Sequence, residues 1–458
     1  MTIRTPDRMS ASFRDPSGFV FIKDQVVFRQ VNLSYRTNYD LLVGSGLYKE
    51  LSDNNLLIKH TETNSPITKP AYKILLPEQI PFISYPYEWS FSQLKDAALL
   101  TLKIQKESLR YGLSLKDASA YNIQYLRGKP ILIDTLSFEK YDESKPWIAY
   151  RQFCQHFLAP LSLMTYNDLY MGNFSKNYID GIPLDITVNL LPAKTKYKFG
   201  LLTHLHLHAK SQARYSDPKA IRRKTKFNQT QMLGILDHLA TTIKSLHPPK
   251  QKTTWGEYYS NTNYTTSALK CKSDIIERYL KNIKPKTLWD AGANDAYFSR
   301  LASQEQIFTL ASDVDPVAIE AAYRRSKEEK DQYLLPLIID LTNPSPAIGW
   351  ANQERSSFLS RCNFDVTLCL AFVHHLAIAN NLPFSYIAEL FSKTSKNLII
   401  EFVPKQDSKV QHLLGSRDDI FDFYTKEEFE KEFSKYFKIA RKDKIVGSSR
   451  TLYLMKTL

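Results

Sequence analysis

Three acidic residues in the second half of this 458-residue chain each end an apolar, strand-like segment. They are Asp290, Asp313 and Asp340. Open α/β sheets bind ligands at the carboxyl ends of their strands, and Gly292 lets the backbone approach such a ligand closely. Asp313 follows this glycine at about the 20-residue offset of an acid that binds ribose. We therefore predict that Asp290 accepts from a cationic amine, Asp313 from ribose hydroxyls and Asp340 from an adenine amino group.

The turn after the first of these segments excludes one class of nucleotide site. A dinucleotide-binding protein needs G-x-G-x-x-G, whereas this chain has Gly292 followed by Asn294 and Ala296 at alternate positions. The turn therefore argues against NAD. The alternative is that the three acids only cap helices or end strands. That role explains a single acid easily, but it explains acids at the ends of three successive segments less well.

Seven strand-like segments alternate with amphipathic ones over the same part of the chain, which is typical of βαβ units and a mostly parallel sheet. No helical stretch separates the last two, so we expect them to pair as an antiparallel hairpin at one edge. The predicted strands are Thr287–Asp290, 307–313, 334–340, 365–370, 398–402, 437–440 and 450–455.

The segment from Asp290 to Ala296 resembles the first motif of class I S-adenosylmethionine-dependent methyltransferases, in the version that reads like D-x-G-A-N-x-G. The resemblance implies a doubly wound, seven-stranded, Rossmann-like α/β domain with S-adenosyl-L-methionine as its cofactor. In that family the first strand's loop cradles methionine, the second strand's acid holds ribose, and the third strand's end meets adenine. Carried over by position, the cofactor-binding residues are Asp290, Gly292, Asn294, Asp313, Asp340, Leu341 and Leu370.

A narrower resemblance covers roughly Trp255 to the end of the chain. The elements that carry it are Trp255-x-x-Tyr258, Tyr264, His374-His375-Leu376 and Glu401-Phe402-Val403-Pro404-Lys405, which look like those of nodulation-type methyltransferases. This resemblance implies a fold and a cofactor but leaves the methyl acceptor open.

Candidate catalytic residues follow the fourth and fifth predicted strands. Methyl transfer is an in-line displacement, so an enzyme positions the acceptor and removes the proton of a hydroxyl. His374 and His375 follow the fourth strand and are candidate bases, although either is equally open to a role in a cap or in the core. Glu401 is a second candidate base, or a group that orients a histidine. The loop lacks the Asn/Asp-Pro-Pro-aromatic tetrad, which disfavours methylation of a base nitrogen.

A separate constellation lies in the first half of the chain. Protein-kinase-like folds use an Asp to orient the attacking hydroxyl, an Asn shortly after it and a further Asp for magnesium. Asp117 and Asn122 have that spacing, and Asp134 follows a strand-like run. The region from about Tyr85 to Pro192 thus resembles the C-terminal lobe of a kinase-like α+β domain. The resemblance makes Asp117 a candidate kinase base, Asn122 and Asp134 candidate magnesium ligands, and ATP a candidate ligand.

Parts of the kinase pattern are missing. The chain has no glycine-rich loop, Leu115-Lys116 replaces the His-Arg before the catalytic Asp, and no glycine follows Asp134 at the usual position. Lys59 is a candidate phosphate-contacting lysine from its strand-like setting. An active kinase, a degenerate binding domain and a chance match all stay open.

The overall charge indicates possible partners. The net charge of +14 and pI near 9.3 favour an anionic glycan, nucleic acid or a membrane surface, with a solubility role as the alternative. No apolar run reaches the roughly 20 residues of a membrane span, and we expect a cytoplasmic protein. His204, His206 and His208 alternate as they would on one face of a strand. Since no carboxylate or cysteine lies nearby, we expect them not to bind a metal.

The Pro pair in SLHPPKQKTTW places the domain boundary. We predict a kinase-like or substrate-recognition domain over 1–246, a linker over 247–255 and the methyltransferase domain over 256–458. The activity expected is O-methylation of a glycan or another hydroxyl or carboxyl acceptor. The alternatives are an RNA or protein methyltransferase with a basic substrate-binding domain, and a catalytically silent binding protein.

Overall fold

The computed structural model describes residues 7–9, 12–63, 71–215, 228–250, 265–415 and 418–458. The sequence features at Trp255, Tyr258 and Tyr264 lie outside the described residues. The described chain forms two compact units. The first contains the residues up to Lys250 together with Ala347–Ser356, and the second contains the rest. No helix in the described ranges has the length and apolarity that a membrane crossing requires.

The first unit begins with a five-stranded antiparallel sheet and two helices that follow its third strand. The sheet order is β1-β2-β3-β5-β4. The strands are β1 (Asp7–Arg8), β2 (Gly18–Lys23), β3 (Val26–Val31), β4 (His60–Thr63) and β5 (Lys73–Pro77), and the helices are α1 (Arg36–Gly44) and α2 (Leu47–Asp53).

A long helix and two short antiparallel strand pairs follow. Ser90 caps this helix by accepting from the amide of Gln93, whose side chain in turn accepts from the Ser90 amide. The pairs are β6 with β9 and β7 with β8. The elements are α3 (Phe91–Arg110), β6 (Leu113–Leu115), β7 (Ile123–Leu126), β8 (Lys129–Leu132) and β9 (Phe138–Lys140).

The remainder of the first unit is helical. Its helices are α4 (Tyr150–Phe153), α5 (Ala159–Tyr166), α6 (Leu184–Leu190), α7 (Phe199–Leu201), α8 (His208–Tyr215) and α9 (Gln229–Ser245). The three alternating histidines do not share one face of a strand, because a wide helical turn, Leu202–Leu207, joins α7 to α8 there. His204 contacts Tyr150 Oη at 2.6 Å and His238 Nδ1 at 2.9 Å. Within the described ranges no cluster of three or more His, Cys, Asp or Glu side chains could hold a metal.

The second unit is built on the seven-stranded sheet that the sequence predicts. Its order is β12-β11-β10-β13-β14-β16-β15, parallel except that β16 runs antiparallel to both of its neighbours. All seven predicted strands and the antiparallel hairpin are confirmed. The strands are β10 (Thr287–Ala291), β11 (Phe308–Asp313), β12 (Leu334–Ile338), β13 (Val366–Cys369), β14 (Asn397–Phe402), β15 (Phe437–Lys444) and β16 (Thr451–Thr457).

Helices cover this sheet, so its parallel strands are buried on both faces and read as continuous apolar runs. The strand order reverses direction between β10 and β13, and such a reversal opens a crevice at the carboxyl ends of the strands. The helices are α10 (Thr266–Ile283), α11 (Tyr297–Gln304), α12 (Pro316–Glu329), α13 (Phe358–Arg361), α14 (Phe384–Thr394), α15 (Ser408–Leu414) and α16 (Lys426–Phe433).

Candidate functional site

A cavity of about 360 Å³ lies in this crevice, at the carboxyl ends of β10 to β13. The loops after these four strands form most of its wall, because parallel strands end at the same edge of the sheet. Every residue carried over as cofactor-binding lines this one cavity: Asp290, Gly292, Asn294, Asp313, Asp340, Leu341 and Leu370.

The loop after β10 follows a path that a bulkier sequence would block. Gly292 has φ of 78°, and a Cβ atom placed on it would lie 2.8 Å from the ring of Phe372. Its amide and that of Ala293 both donate to the carbonyl of Ser312 at 2.9 Å, which ties the loop to β11. Ala296 also has a positive φ, 63°, which explains why a glycine is commoner there in the resembling family.

Asp313 joins two of the loops around the cavity. Its Oδ2 accepts from the amide of Asn294 at 2.8 Å and its Oδ1 from the amide of Asp315 at 3.0 Å. Burial raises the pKa of Asp313 to about 6. Asp315 itself is fully buried and caps α12 by accepting from the amide of Val317, so its carboxylate has a structural role.

Asp290 lies at the floor of the cavity and is only 2% exposed. Its Oδ2 accepts from the hydroxyl of Ser299 at 2.7 Å. Burial raises the pKa of Asp290 to about 7, and the nearby ammonium of Lys272 opposes that rise. The carboxyl group is therefore poised to change charge near neutral pH.

The two neighbouring histidines occupy different environments. His375 lines the cavity, and burial lowers its pKa to about 4, so its ring is neutral at neutral pH. His374 is only 1% exposed and is absent from the cavity wall, and burial holds its pKa well below the usual value. Of the two candidate bases, only His375 is placed to meet a ligand.

Glu401 lies behind the cavity wall with a fully buried side chain. Its Oε2 accepts from Lys272 Nζ at 2.7 Å and from the amide of Ala371 at 2.8 Å. Arg450 NH1 lies 3.7 Å from the other carboxylate oxygen. A carboxylate committed in this way is a poor proton acceptor, so the geometry argues against Glu401 as the base.

Lys272 also lines the cavity, although it belongs to no motif from which this position could be predicted. It lies on α10, before the first strand of the sheet. A signal was present in the spacing, because Lys272 shares the buried face of α10 with Ala268, Ile276 and Tyr279. A lysine on an apolar helix face indicates a buried partner for its charge.

A second cavity, of about 400 Å³, lies in the first unit and is lined by Asp117, Asn122 and Asp134. Asp117 accepts from the amide of Ser119 at 2.9 Å and from the side chain of Asn122. Burial, reinforced by the charge of Asp134, raises the pKa of Asp117. The three residues singled out by kinase-like spacing therefore meet at one site.

The cation beside this group differs from the one expected. Lys59 is exposed and does not line the cavity. Arg29 on β3 lies there instead, with NH2 2.5 Å from Asp134 Oδ1. Asp134 also accepts from the amide of Leu136 and the hydroxyl of Ser137. The expectation for Lys59 is wrong, because a strand-like setting does not reveal which way a side chain points.

Comparison with known proteins gives one full-length relative. No protein-family model matches the chain. The nodulation protein NoeA of Rhizobium meliloti (strain 1021) is 33% identical over 458 residues, which is 98% of this chain and 96% of the relative.

Solved structures give partial matches. The bifunctional kinase-methyltransferase WbdD is 14% identical, with 41% of this chain and 39% of WbdD covered and a TM-score of 0.29. The match therefore spans less than half of WbdD. The N-methyltransferase NodS from Bradyrhizobium japonicum WM9 is 13% identical, with 42% of this chain and 97% of NodS covered and a TM-score of 0.31. At these TM-scores neither likeness carries an inference about activity.

Proposed function

The chain belongs to the family of the nodulation protein NoeA, and we propose that its second unit is an S-adenosylmethionine-dependent methyltransferase acting on a hydroxyl or carboxyl acceptor, such as one on a glycan. The convergence of four strand ends on one cavity carries the proposal. Asp290, Asp313 and Asp340 come from three successive strands, and all three line that cavity. A catalytically silent protein that keeps this fold only as a scaffold does not need three partly buried carboxylates along the wall of one cavity.

The residues of the cavity fit this cofactor. Its volume of about 360 Å³ is in the usual range of small-molecule sites. Asp313 would hold the ribose hydroxyls, Asp340 with Leu341 the adenine, and the loop at Gly292 the methionine part. When bound, S-adenosylmethionine supplies an electrophilic methyl group. Because Gly292 has no Cβ atom, the ring of Phe372 can stay where it is and does not have to move.

We assign proton removal from a hydroxyl acceptor to His375. Its ring is neutral at neutral pH and lines the cavity, so it can accept a proton. Glu401 and Lys272 instead form a buried pair that holds the wall in place. A carboxyl acceptor is already ionised at neutral pH and needs no base.

The proposal is tested by following S-adenosylhomocysteine release with a panel of acceptors. The panel contains acidic and neutral glycans, RNA and protein, and the Asp313→Ala variant gives the background rate. Release with glycans is the expected result, and release with RNA or protein would replace only the acceptor class. If S-adenosylhomocysteine binds but no acceptor supports turnover, a binding protein is the better description.

We also propose that the first unit is a kinase-like domain. The support is the order of elements: a five-stranded sheet, the long helix α3, and then the hairpin region that brings Asp117, Asn122 and Asp134 together. A tight turn at Asp24 and Gln25, both with positive φ, joins β2 to β3 without a glycine-rich loop.

Magnesium would be held in this domain by Asn122 and Asp134, whose oxygen atoms suit a hard cation. Arg29 now pairs with Asp134, so the ion would have to replace that contact. Calorimetry with ADP, with and without magnesium, tests the proposal. Magnesium-dependent binding should be lost in Asp134→Asn and kept in Asp142→Asn, a change in an exposed turn. Equal binding without magnesium would contradict it.

A further inference from the structure

The segment Ala347–Ser356 lies between β12 and β13 in the sequence but belongs to the first unit. It forms a short hairpin, in which the amides of Ile348 and Arg355 each donate to the carbonyl of the other at 3.1 Å. Gly349 has φ of 87° and allows the chain to reverse. The sequence thus places one loop of its C-terminal half inside the N-terminal unit.

This hairpin is anchored at both of its ends. Ile348 packs against a buried cluster of Tyr85, Tyr87 and Tyr121. The amide of Ser356 donates to the hydroxyl of Tyr85 at 3.0 Å. The backbone on either side of Glu354 and Arg355 is therefore held in place, which fixes the side chains that the hairpin presents.

Glu354 makes the third anchor, and its charge is compensated. The side chain is 2% exposed and accepts from Arg14 NH2 at 2.8 Å and from the amide of Trp350 at 2.9 Å. Burial by itself would raise the pKa of Glu354, but the hydrogen bonds from Arg14 and the Trp350 amide, together with the charges of Arg14 and Arg355, outweigh it and the pKa is lowered. Glu354 and Arg14 thus form an ion pair, and Arg14 NH1 also lies 3.5 Å from Asp180.

Arg355 is not compensated in the same way. Its guanidinium carbon lies 4.3 Å from the ring centroid of Tyr121, and its NH1 donates to the carbonyl of Glu354 at 3.0 Å. Its Nε is buried and, among the described residues, has no hydrogen-bond partner. No ion pair of the described residues includes Arg355, and the carboxylate of Glu354 interacts with its charge through space. A partly buried cation with an unused donor favours an incoming anion.

The surroundings of Arg355 define where that anion would sit. Arg355 lines the cavity of the first unit together with Asp117 and Asn122, and Tyr121 precedes Asn122 directly. The other two arginines that line this cavity are paired, Arg29 with Asp134 and Arg14 with Glu354. Arg355 is consequently the arginine of this cavity that forms no ion pair among the described residues.

We propose that the cavity of the first unit binds a small molecule carrying an oxyanion, phosphate or carboxylate, through the guanidinium of Arg355. The planar fork of arginine matches either group by two parallel hydrogen bonds. The site needs neither magnesium nor nucleotide, so it does not depend on the kinase-like activity or on methyl transfer. It does require the hairpin that the C-terminal half of the sequence contributes.

The test uses the full chain without nucleotide or magnesium. Phosphorus NMR follows line broadening of inorganic phosphate, and saturation transfer follows glucuronate with glucose as the uncharged comparison. Arg355→Met keeps the aliphatic stem over Tyr121 but removes the charge. We expect it to weaken oxyanion binding by roughly tenfold to a hundredfold, in line with the loss of charged hydrogen bonds.

Arg110→Met is the matched control, because Arg110 is exposed and pairs with Glu107 away from the cavity. It should bind both probes as the wild type does. Far-ultraviolet circular dichroism and S-adenosylhomocysteine affinity should be unchanged in both variants. Binding of phosphate alone would identify the ligand group as a phosphate, and binding of glucuronate alone would identify it as a carboxylate. If Arg355→Met binds the probes as the wild type does, or if the wild type binds neither, the inference is overturned.

Discussion

The ammonium of Lys272 donates to the carboxylate of Glu401 at 2.7 Å, with the two side chains 1% and 0% exposed. Lys272 comes from α10, Glu401 from β14, and the amide of Ala371 after β13 donates to the same oxygen. Burial lowers the pKa of Lys272, and Glu401 opposes the shift. This pair therefore joins α10, β14 and the loop after β13 at the wall of the cavity of the second unit.

Removing the anion of this pair should destabilise the second unit. Glu401→Gln leaves the Lys272 ammonium buried without its counter-charge, and we expect a loss of about 3–5 kcal/mol in the free energy of unfolding. Urea unfolding measures it. Glu389→Gln, which breaks the exposed pair with Lys393, should cost less than about 1 kcal/mol. A stable but inactive Glu401→Gln would instead assign Glu401 to the chemistry.

Adding one methyl group at Gly292 should close the cofactor site. In Gly292→Ala the new Cβ would meet the Phe372 ring at 2.8 Å, and φ of 78° disfavours alanine. We expect S-adenosylhomocysteine affinity to fall by about tenfold or more, since each tenfold needs only about 1.4 kcal/mol. Gly234→Ala, with open space around its Cβ, should leave that affinity unchanged. Equal affinities in the two variants would place the ligand elsewhere.

Cofactor affinity should fall as the pH drops from neutral towards acid. Burial raises the pKa of Asp313 to about 6, so in the free protein this carboxylate takes up a proton below that pH. Ribose hydroxyls donate to the ionised form, so protonation competes with binding. Asp290, with a pKa raised to about 7, acts in the same direction. Calorimetry from pH 8 to 5 should show that S-adenosylhomocysteine affinity declines less steeply in Asp313→Asn than in the wild type. Identical pH dependence in the two proteins would show that Asp313 does not contact the ligand.

Substitution of His375, the histidine that lines the cavity of the second unit, should slow turnover. His375→Gln should lower kcat by roughly 10²–10⁴-fold for a hydroxyl acceptor, the usual contribution of a general base. His412→Gln, an exposed histidine on α15, should leave kcat unchanged. Because burial sets the pKa of His375 near 4, its ring stays neutral down to about that pH. Normal turnover by His375→Gln would contradict its role as base.

The meeting of the three acidic residues and Gly292 at one cavity could be predicted from the sequence because they follow local patterns. Buried parallel strands read as apolar runs, and Asp290, Asp313 and Asp340 stand where three of those runs end. The turn at Gly292 carries its own signal, since glycine adopts a positive φ without the steric cost that other residues meet. Each of these features depends on a few neighbouring residues, so it can be recognised in the sequence without knowledge of tertiary contacts.

The features that were missed depend on distant contacts. Lys272 lies 129 residues from Glu401, and no local pattern connects a helix lysine to a strand glutamate so far along the chain. Arg355 lines its cavity on a hairpin that is held by contacts of Ile348 and Ser356 with tyrosines of the first half of the sequence. His204 and its alternating neighbours have the period of a strand, yet they fold into a wide helical turn packed on Tyr150.

The most direct test of the account is calorimetric titration of the full chain with S-adenosylhomocysteine, using wild type, Asp313→Ala and Glu389→Ala. Asp313 lines the cavity, whereas Glu389 is an exposed carboxylate of the same unit. We expect micromolar binding of S-adenosylhomocysteine to the wild type and to Glu389→Ala, and an affinity lower by at least about tenfold in Asp313→Ala. Absence of binding to the folded wild type, or equal binding to all three proteins, would contradict the assignment of this cavity to the cofactor.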